Sequence, residues 1–168
     1  DGRGAGDADG AGHRPAYNVQ LVADTESRVI VGVCVTTEGT AKAQSEPLRE
    51  QVQERTGSTV EDHLMDGGFV KLEQIERAEK TGVKVYAPPQ QSRKDLDPYR
   101  LRETDSPEIA VWRTRMAAEE AKAIYKERAS TSETVNADLR TYRGLRPFLV
   151  RGLRKVRCVV LWSALEYN

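Results

Sequence analysis

The chain has 168 residues, 38% hydrophobic and 31% charged, with 26 Lys+Arg against 26 Asp+Glu. That length suits one domain, or a domain with an appendage, and can bury a real core. No apolar run of about 18 residues occurs, which excludes a transmembrane helix, and no signal-peptide pattern opens the sequence. Cys34 and Cys158 stand far apart, excluding a disulfide scaffold and a zinc ribbon. Two histidines, His13 and His63, are too few for a histidine-built metal centre, so carboxylates must do most of the work of holding any metal. The starting expectation is a soluble, cytoplasmic α/β protein with no membrane partner.

Residues 1–16 hold five glycines in their first twelve positions and almost nothing apolar, and are expected to be a flexible leader. The chain opens on Asp rather than Met, which suggests a piece of a longer reading frame. From Tyr17 the pattern changes. Residues 17–24 and 28–36 are apolar and β-branched around the polar link Thr25–Glu26–Ser27, which predicts an antiparallel hairpin. Residues 45–55 predict a helix with Pro47 in its first turn and Gly57 just past its end. Residues 60–65 predict a strand, 70–80 a helix ended by Gly82, and 83–87 a buried strand stopped by Pro88–Pro89. The polar segment 88–106 is a loop long enough to suggest function. Ser106–Pro107 then opens a helical zone reaching about Arg143, with a break near Met116. Residues 147–165 predict a last helix, with Leu149, Leu153, Val156 and Val160 along one stripe and the apolar end 158–165 buried. The order of elements predicts an α/β domain in which 17–36 and 60–66 share one mixed sheet.

Three carboxylates are candidates for chemistry. Asp66 closes a predicted strand just before Gly67–Gly68; it is either a turn residue or a hard-metal ligand aimed into a cleft. Glu133 lies on a helix where Tyr125, Arg128, Glu133 and Arg140 fall within an arc of about 140°, Glu133 and Arg140 only about 20° apart. That face is either an ordinary charged surface or a seat for metal-bound phosphate. Asp24 ends a strand and either starts the turn 24–27 or supplies a ligand. His63 reads as a hydrogen-bonded or solvent-facing histidine.

Charge is unevenly spread. Residues 1–86 carry 10 basic and 15 acidic side chains, and residues 87–168 carry 16 and 11. The stretch 140–157 holds Arg140, Arg143, Arg146, Arg151, Arg154, Lys155 and Arg157 with no acid among them. It is either a solvated face or a contact surface for a polyanion, where arginine's planar fork matches phosphate.

Four segments together resemble the Asp-Asp-Glu transposases of bacterial insertion sequences: Arg14 to Gln20, Asp66-Gly67-Gly68-Phe69, Tyr125-x-x-Arg128-x4-Glu133-x6-Arg140, and Arg143-Gly144-Leu145 through Leu149-Val150-Arg151-Gly152-Leu153. The resemblance covers about residues 14–168. It implies a ribonuclease H-like mixed sheet with flanking helices, N-terminally truncated, with 17–168 a partial catalytic domain. It also implies metal-dependent cleavage and transfer of DNA strands, with three carboxylates holding two Mg²⁺ (or Mn²⁺) ions. By resemblance Asp66 is the second acid and Glu133 the third, both catalytic and metal-binding. Tyr125, Arg128 and Arg140 take accessory positions, and Arg143, Arg146, Arg151, Arg154 and Lys155 become DNA-binding candidates. In the family the first acid lies in an Asp-Gly-Thr-like motif on an earlier strand. No such motif occurs here, so Asp24 is a poor substitute and the chain alone is expected to be inactive. The alternative is a non-catalytic DNA-binding fragment or a decayed transposase remnant. The implied partners are the element's DNA ends and its target, with a homodimer in the DNA complex, and the implied location is the bacterial cytoplasm at the nucleoid.

Overall fold

Strand alternation between residues 17 and 36 closes the expected hairpin. In this computed structural model the described residues are 16–38, 44–67, 71–90, 97–145 and 148–168, with the backbone alone at 6–7 and 14–15. Strands β1 (Gly6–Asp7) and β2 (Arg14–Pro15) pair antiparallel. Most of the expected leader, residues 1–5 and 8–13, lies outside the described residues. Strands β3 (Asn18–Ala23) and β4 (Ile30–Thr36) pair antiparallel, Asn18 opposite Thr36, with an irregularity between Val22 and Ala23. Their connection is shut by Asp24, whose Oδ1 accepts from the Ser27 N–H and the Ser27 hydroxyl, both at 2.7 Å.

Helix α1 (Ser45–Thr56) ends on Gly57, whose φ of 70° is the left-handed stop a glycine tolerates. Strand β5 (Asp62–Leu64), helix α2 (Leu72–Lys80) and strand β6 (Lys84–Tyr86) follow, and β5 pairs parallel with β6. A parallel pair needs a crossover, which α2 supplies. The start expected for α2 at Val70 lies outside the described residues. Helix α3 (Pro107–Ala117) starts with the Ser106 side chain accepting from the Ile109 N–H. The break falls at Ala118, whose extended ψ of 143° separates α3 from helix α4 (Glu119–Thr141). Of the long loop, 91–96 lies outside the described residues. Its end is held by Arg113, which donates to Asp105 Oδ2 at 2.8 Å and to the Pro98 carbonyl at 2.7 Å.

Two expectations need correction. The hairpin and the strand at 62–64 do not share a sheet; the described residues form three two-stranded sheets, β1–β2, β3–β4 and β5–β6. Each pair is closed locally, the hairpin by its turn and the parallel pair by α2, and none of the described residues supplies a strand between them. The last helix, α5 (Leu153–Tyr167), starts six residues later than expected, behind Gly152 at φ 92°. Leu149 precedes it and is 94% exposed, so the buried stripe is Val156, Val160 and Ala164. The end of α5 is not buried all round: Leu161, Trp162 and Leu165 face solvent. A helix packed from one side buries one face, and among the described residues α5 rests on the hairpin and the end of α4.

Two cores result. Met65, Ile75, Val85, Trp112 and Met116 anchor the first, between the parallel pair, α2, α3 and the start of α4. Val33, Val35, Val135, Leu139, Val156 and Val160 anchor the second, between the hairpin, the end of α4 and α5. Helix α4 runs through both.

Candidate functional site

Side chains alternate across the hairpin. Val19, Leu21, Val33 and Val35 face the second core with α4 and α5. The opposite face, carrying Gln20, Val22, Gly32 and Cys34, meets α1: a Cβ on Gly32 would lie 3.4 Å from Leu48 Cδ2, and Cys34 Sγ donates to Gln44 Oε1 at 3.1 Å. Helices therefore cover both faces, and between β3 and β5 they enclose a cleft of about 840 Å³. Its sides are β3 and β5. Leu48, Arg49 and Val52 of α1 form one wall, and Arg128, Thr131 and Val135 of α4 the other.

Asp66 lines this cleft and is exposed at its mouth, next to the end of β5. Tyr125 and Arg128 stand beside it. The Arg128 guanidinium lies 5.3 Å from the centre of the Tyr125 ring. Burial holds the Tyr125 phenol above its ordinary pKa; the Arg128 charge opposes this and the Asp66 charge adds to it. Arg128 Nε is buried without a partner among the described residues. A carboxylate, a phenol and a guanidinium thus converge at one cleft, an arrangement able to orient a phosphate.

The other candidates are placed differently. Glu133 and Arg140 are exposed on α4, and Glu133 is not among the cleft-lining residues. Asp24 lines the far end of the cleft with its carboxylate turned onto Ser27; the Ser27 hydroxyl and N–H hold its pKa below the usual carboxylate value. Arg143 donates to Asp138 Oδ1 at 2.6 Å and lies 3.0 Å from Glu166 Oε1, so two acids match its charge and it ties α4 to α5. Arg151, Arg154, Lys155 and Arg157 are exposed around the first turns of α5, and Arg146 lies outside the described residues. No three His, Cys, Asp or Glu side chains cluster among the described residues.

Sequence reasoning missed one residue of the cleft. Gln20 is 6% exposed, and neither its Nε2 nor its Oε1 has a partner among the described residues. A glutamine amid Val19, Leu21 and Val22 is the signal that could have found it. His63 also lines the cleft, with Arg49 NH1 3.4 Å from its Nδ1; burial, helped by the Arg49 charge, pushes its pKa down to about 4.

A family model described as the transposase DDE domain matches residues 2–168. Neither the curated proteins nor the solved structures contain a match to the chain.

Proposed function

Since this chain belongs to the transposase DDE-domain family, a family of polynucleotidyl transferases acting on DNA, we propose that residues 17–168 form part of a ribonuclease H-like catalytic domain for strand cleavage and transfer. The match across residues 2–168 carries this reading. The convergence of Asp66, Tyr125 and Arg128 at one cleft supports it. No helix of the described residues is long and apolar enough to cross a membrane.

The family implies Mg²⁺ or Mn²⁺ held by carboxylates. Asp66 is at the cleft, Glu133 is outside its lining, Asp24 is turned onto Ser27, and no third donor joins them among the described residues. By themselves these side chains do not fit a two-ion centre. The chain's own contribution is therefore binding and orientation. Arg128 offers to a phosphate oxygen an Nε–H that has no partner among the described residues, Tyr125 holds the guanidinium by its ring face, and Arg151, Arg154 and Lys155 present exposed cations to backbone phosphates. Arg143 has a structural role in this reading, because its two acids already neutralise it.

Two measurements test the proposal. Sheared genomic DNA titrated at two salt concentrations should bind without sequence preference, and Arg151→Ala should reduce the log–log salt slope by about one unit. No binding at low salt would leave the cations as solvated surface. In a strand-transfer assay on DNA with the element's ends, the whole transposase carrying this domain should lose activity in Asp66→Asn and Glu133→Gln. The 168-residue chain alone should show none, and robust metal-dependent cleavage by it would restore Asp24 as a ligand.

A further inference from the structure

Helix α5 carries a second stripe opposite the one it buries. Val156, Val160 and Ala164 pack into the second core. At about 100° per residue, Arg154, Lys155, Cys158, Leu161, Trp162 and Leu165 fall within an arc of about 120° on the other side, and all six are exposed. No acid lies in that arc. Glu166 stands just beside it, with its Oε1 3.0 Å from Arg143 NH1. The cations are also unmatched. Among the described residues Arg113, Arg115 and Arg143 each pair with an acid, whereas Arg151, Arg154 and Lys155 form no ion pair. The stripe therefore runs from bare positive charge at the start of α5 to Leu161, Trp162 and Leu165 at its end.

A ligand for this stripe must offer anions to one half and flat apolar surface to the other. Duplex DNA offers the anions, but its base faces are hidden in the stack. An acidic amphipathic helix seeks a groove with apolar walls, and the outer side of α5 is a single convex helix surface. A second copy brings the same unmatched cations and no acid within the arc to meet them, so pairing would strip water from charge laid on apolar surface. Single-stranded nucleic acid fits both halves: its phosphates take the cations and its unstacked bases lie on an exposed aromatic ring. Lys155 and Trp162 are separated by about 10.5 Å along the helix axis, a span that a few unpaired nucleotides cover.

We propose that the outer face of α5 is a binding site for single-stranded DNA, with a base stacked on Trp162 and the neighbouring phosphates held by Lys155, Arg154 and Arg151. Leu161 and Leu165 flank the ring and give the stacked base an apolar bed. Stacking of this kind is tolerant of sequence, because every base has a π-face. Cutting one strand of a duplex frees an end that can peel away from its complement, so the reaction proposed above supplies such a ligand. The site rests on that reading only for the choice of DNA over RNA; the exposed tryptophan and the unmatched cations carry the rest.

The test uses the 168-residue chain, an oligothymidylate of about twelve nucleotides and a blunt duplex of the same length. Trp112 and Trp162 are the chain's two tryptophans, and Trp112 is fully buried, so quenching of the emission by DNA reports on Trp162. Saturable quenching is expected with the single strand and none with the duplex. Affinities of the variants are followed by anisotropy of labelled DNA. Trp162→Ala should weaken single-strand binding at least about fivefold, Trp162→Phe should weaken it less, and both should leave duplex affinity within about twofold. Lys155→Ala should shallow the single-strand log–log salt slope by about 0.7. Absence of quenching, an alanine variant that holds the single strand as well as the parent, or one that loses duplex affinity equally overturns the proposal. So does an oligouridylate that binds more tightly than the oligothymidylate, which would assign the face to RNA. A DNA-free dimer whose Trp162 is already shielded from iodide would assign it to a second copy and equally overturn it. Single-strand binding in a chain that ignores the duplex would sink the duplex contacts proposed above and leave this site standing.

Discussion

The two cores are built from similar residues and end differently. The first is sealed. Trp112, Ile75 and Val85 are fully buried there, and its polar rim is locked by the Arg113–Asp105 and Arg115–Glu79 pairs. The second is open on one side, where the outer face of α5 leaves Trp162 at 71% and Leu165 at 66% exposure. The difference follows from layering. The first core has a parallel strand pair with helices α2 and α3 wrapped over it, whereas α5 has the hairpin on one face and no covering element on the other among the described residues. Apolar content alone does not close a core; a second layer must be present to receive each apolar face.

The largest effect expected is at the centre of the sealed core. Trp112→Ala should cost about 3–5 kcal/mol in denaturant unfolding, because the surrounding helices cannot collapse into the space. A loss below about 1 kcal/mol would show the first core to be as loose as the second. The next test concerns its rim. Arg113 and Asp105 are only 3% and 4% exposed, so Arg113→Met strands a buried carboxylate and should cost about 3 kcal/mol or more. Pairing it with Asp105→Leu should restore much of that loss, since a buried ion pair is weak net stabilisation and a broken one is strongly destabilising. Failure of the double variant to recover would place the importance of Arg113 in its bond to the Pro98 carbonyl.

Between the cores, His63 gives a pH-dependent comparison. Its folded pKa of about 4 lies below the ordinary 6.5, so the unfolded chain binds the proton more readily. Stability should therefore be full above pH 6.5 and decline as pH falls toward 4, by at most about 3 kcal/mol. Unfolding midpoints measured across that window should show this slope, and His63→Gln should flatten it. An unchanged slope in the variant would assign the loss to carboxylates such as Asp24, whose lowered pKa acts further toward acid. The smallest effect belongs to the open face. Trp162→Ser should change stability by less than about 0.5 kcal/mol, yet reduce self-association and binding of an apolar dye, because the residue belongs to an exposed apolar patch. A large loss of stability would mean that α5 is covered in solution.

Much of the chain was legible from local chemistry. The β-branched alternation around Thr25–Glu26–Ser27, the proline and glycine bounds of α1, the Ser106–Pro107 start of α3 and the strand–helix–strand order of 60–87 each follow from rules acting within a few residues. The candidate site was legible in part: Asp66, Tyr125 and Arg128 could be singled out by residue type and spacing, but their meeting at one cleft could not.

What tertiary structure decided are the relations between distant segments. Asn168 caps Ile30 from 138 positions away, and Tyr17 accepts the Gly152 N–H across 135, while the strand at 62–64 remains apart from the hairpin. Burial likewise turns Gln20 from one polar residue in a strand into an amide without a partner among the described residues. Arg143, indistinguishable in sequence from its neighbouring cations, becomes an internal clamp because Asp138 and Glu166 meet it in space. Periodicity and caps act through the backbone's own repeat and are written in neighbouring residues. Pairing, burial and charge matching depend on which surfaces the folded chain brings together, and that is settled only when all the layers are in place.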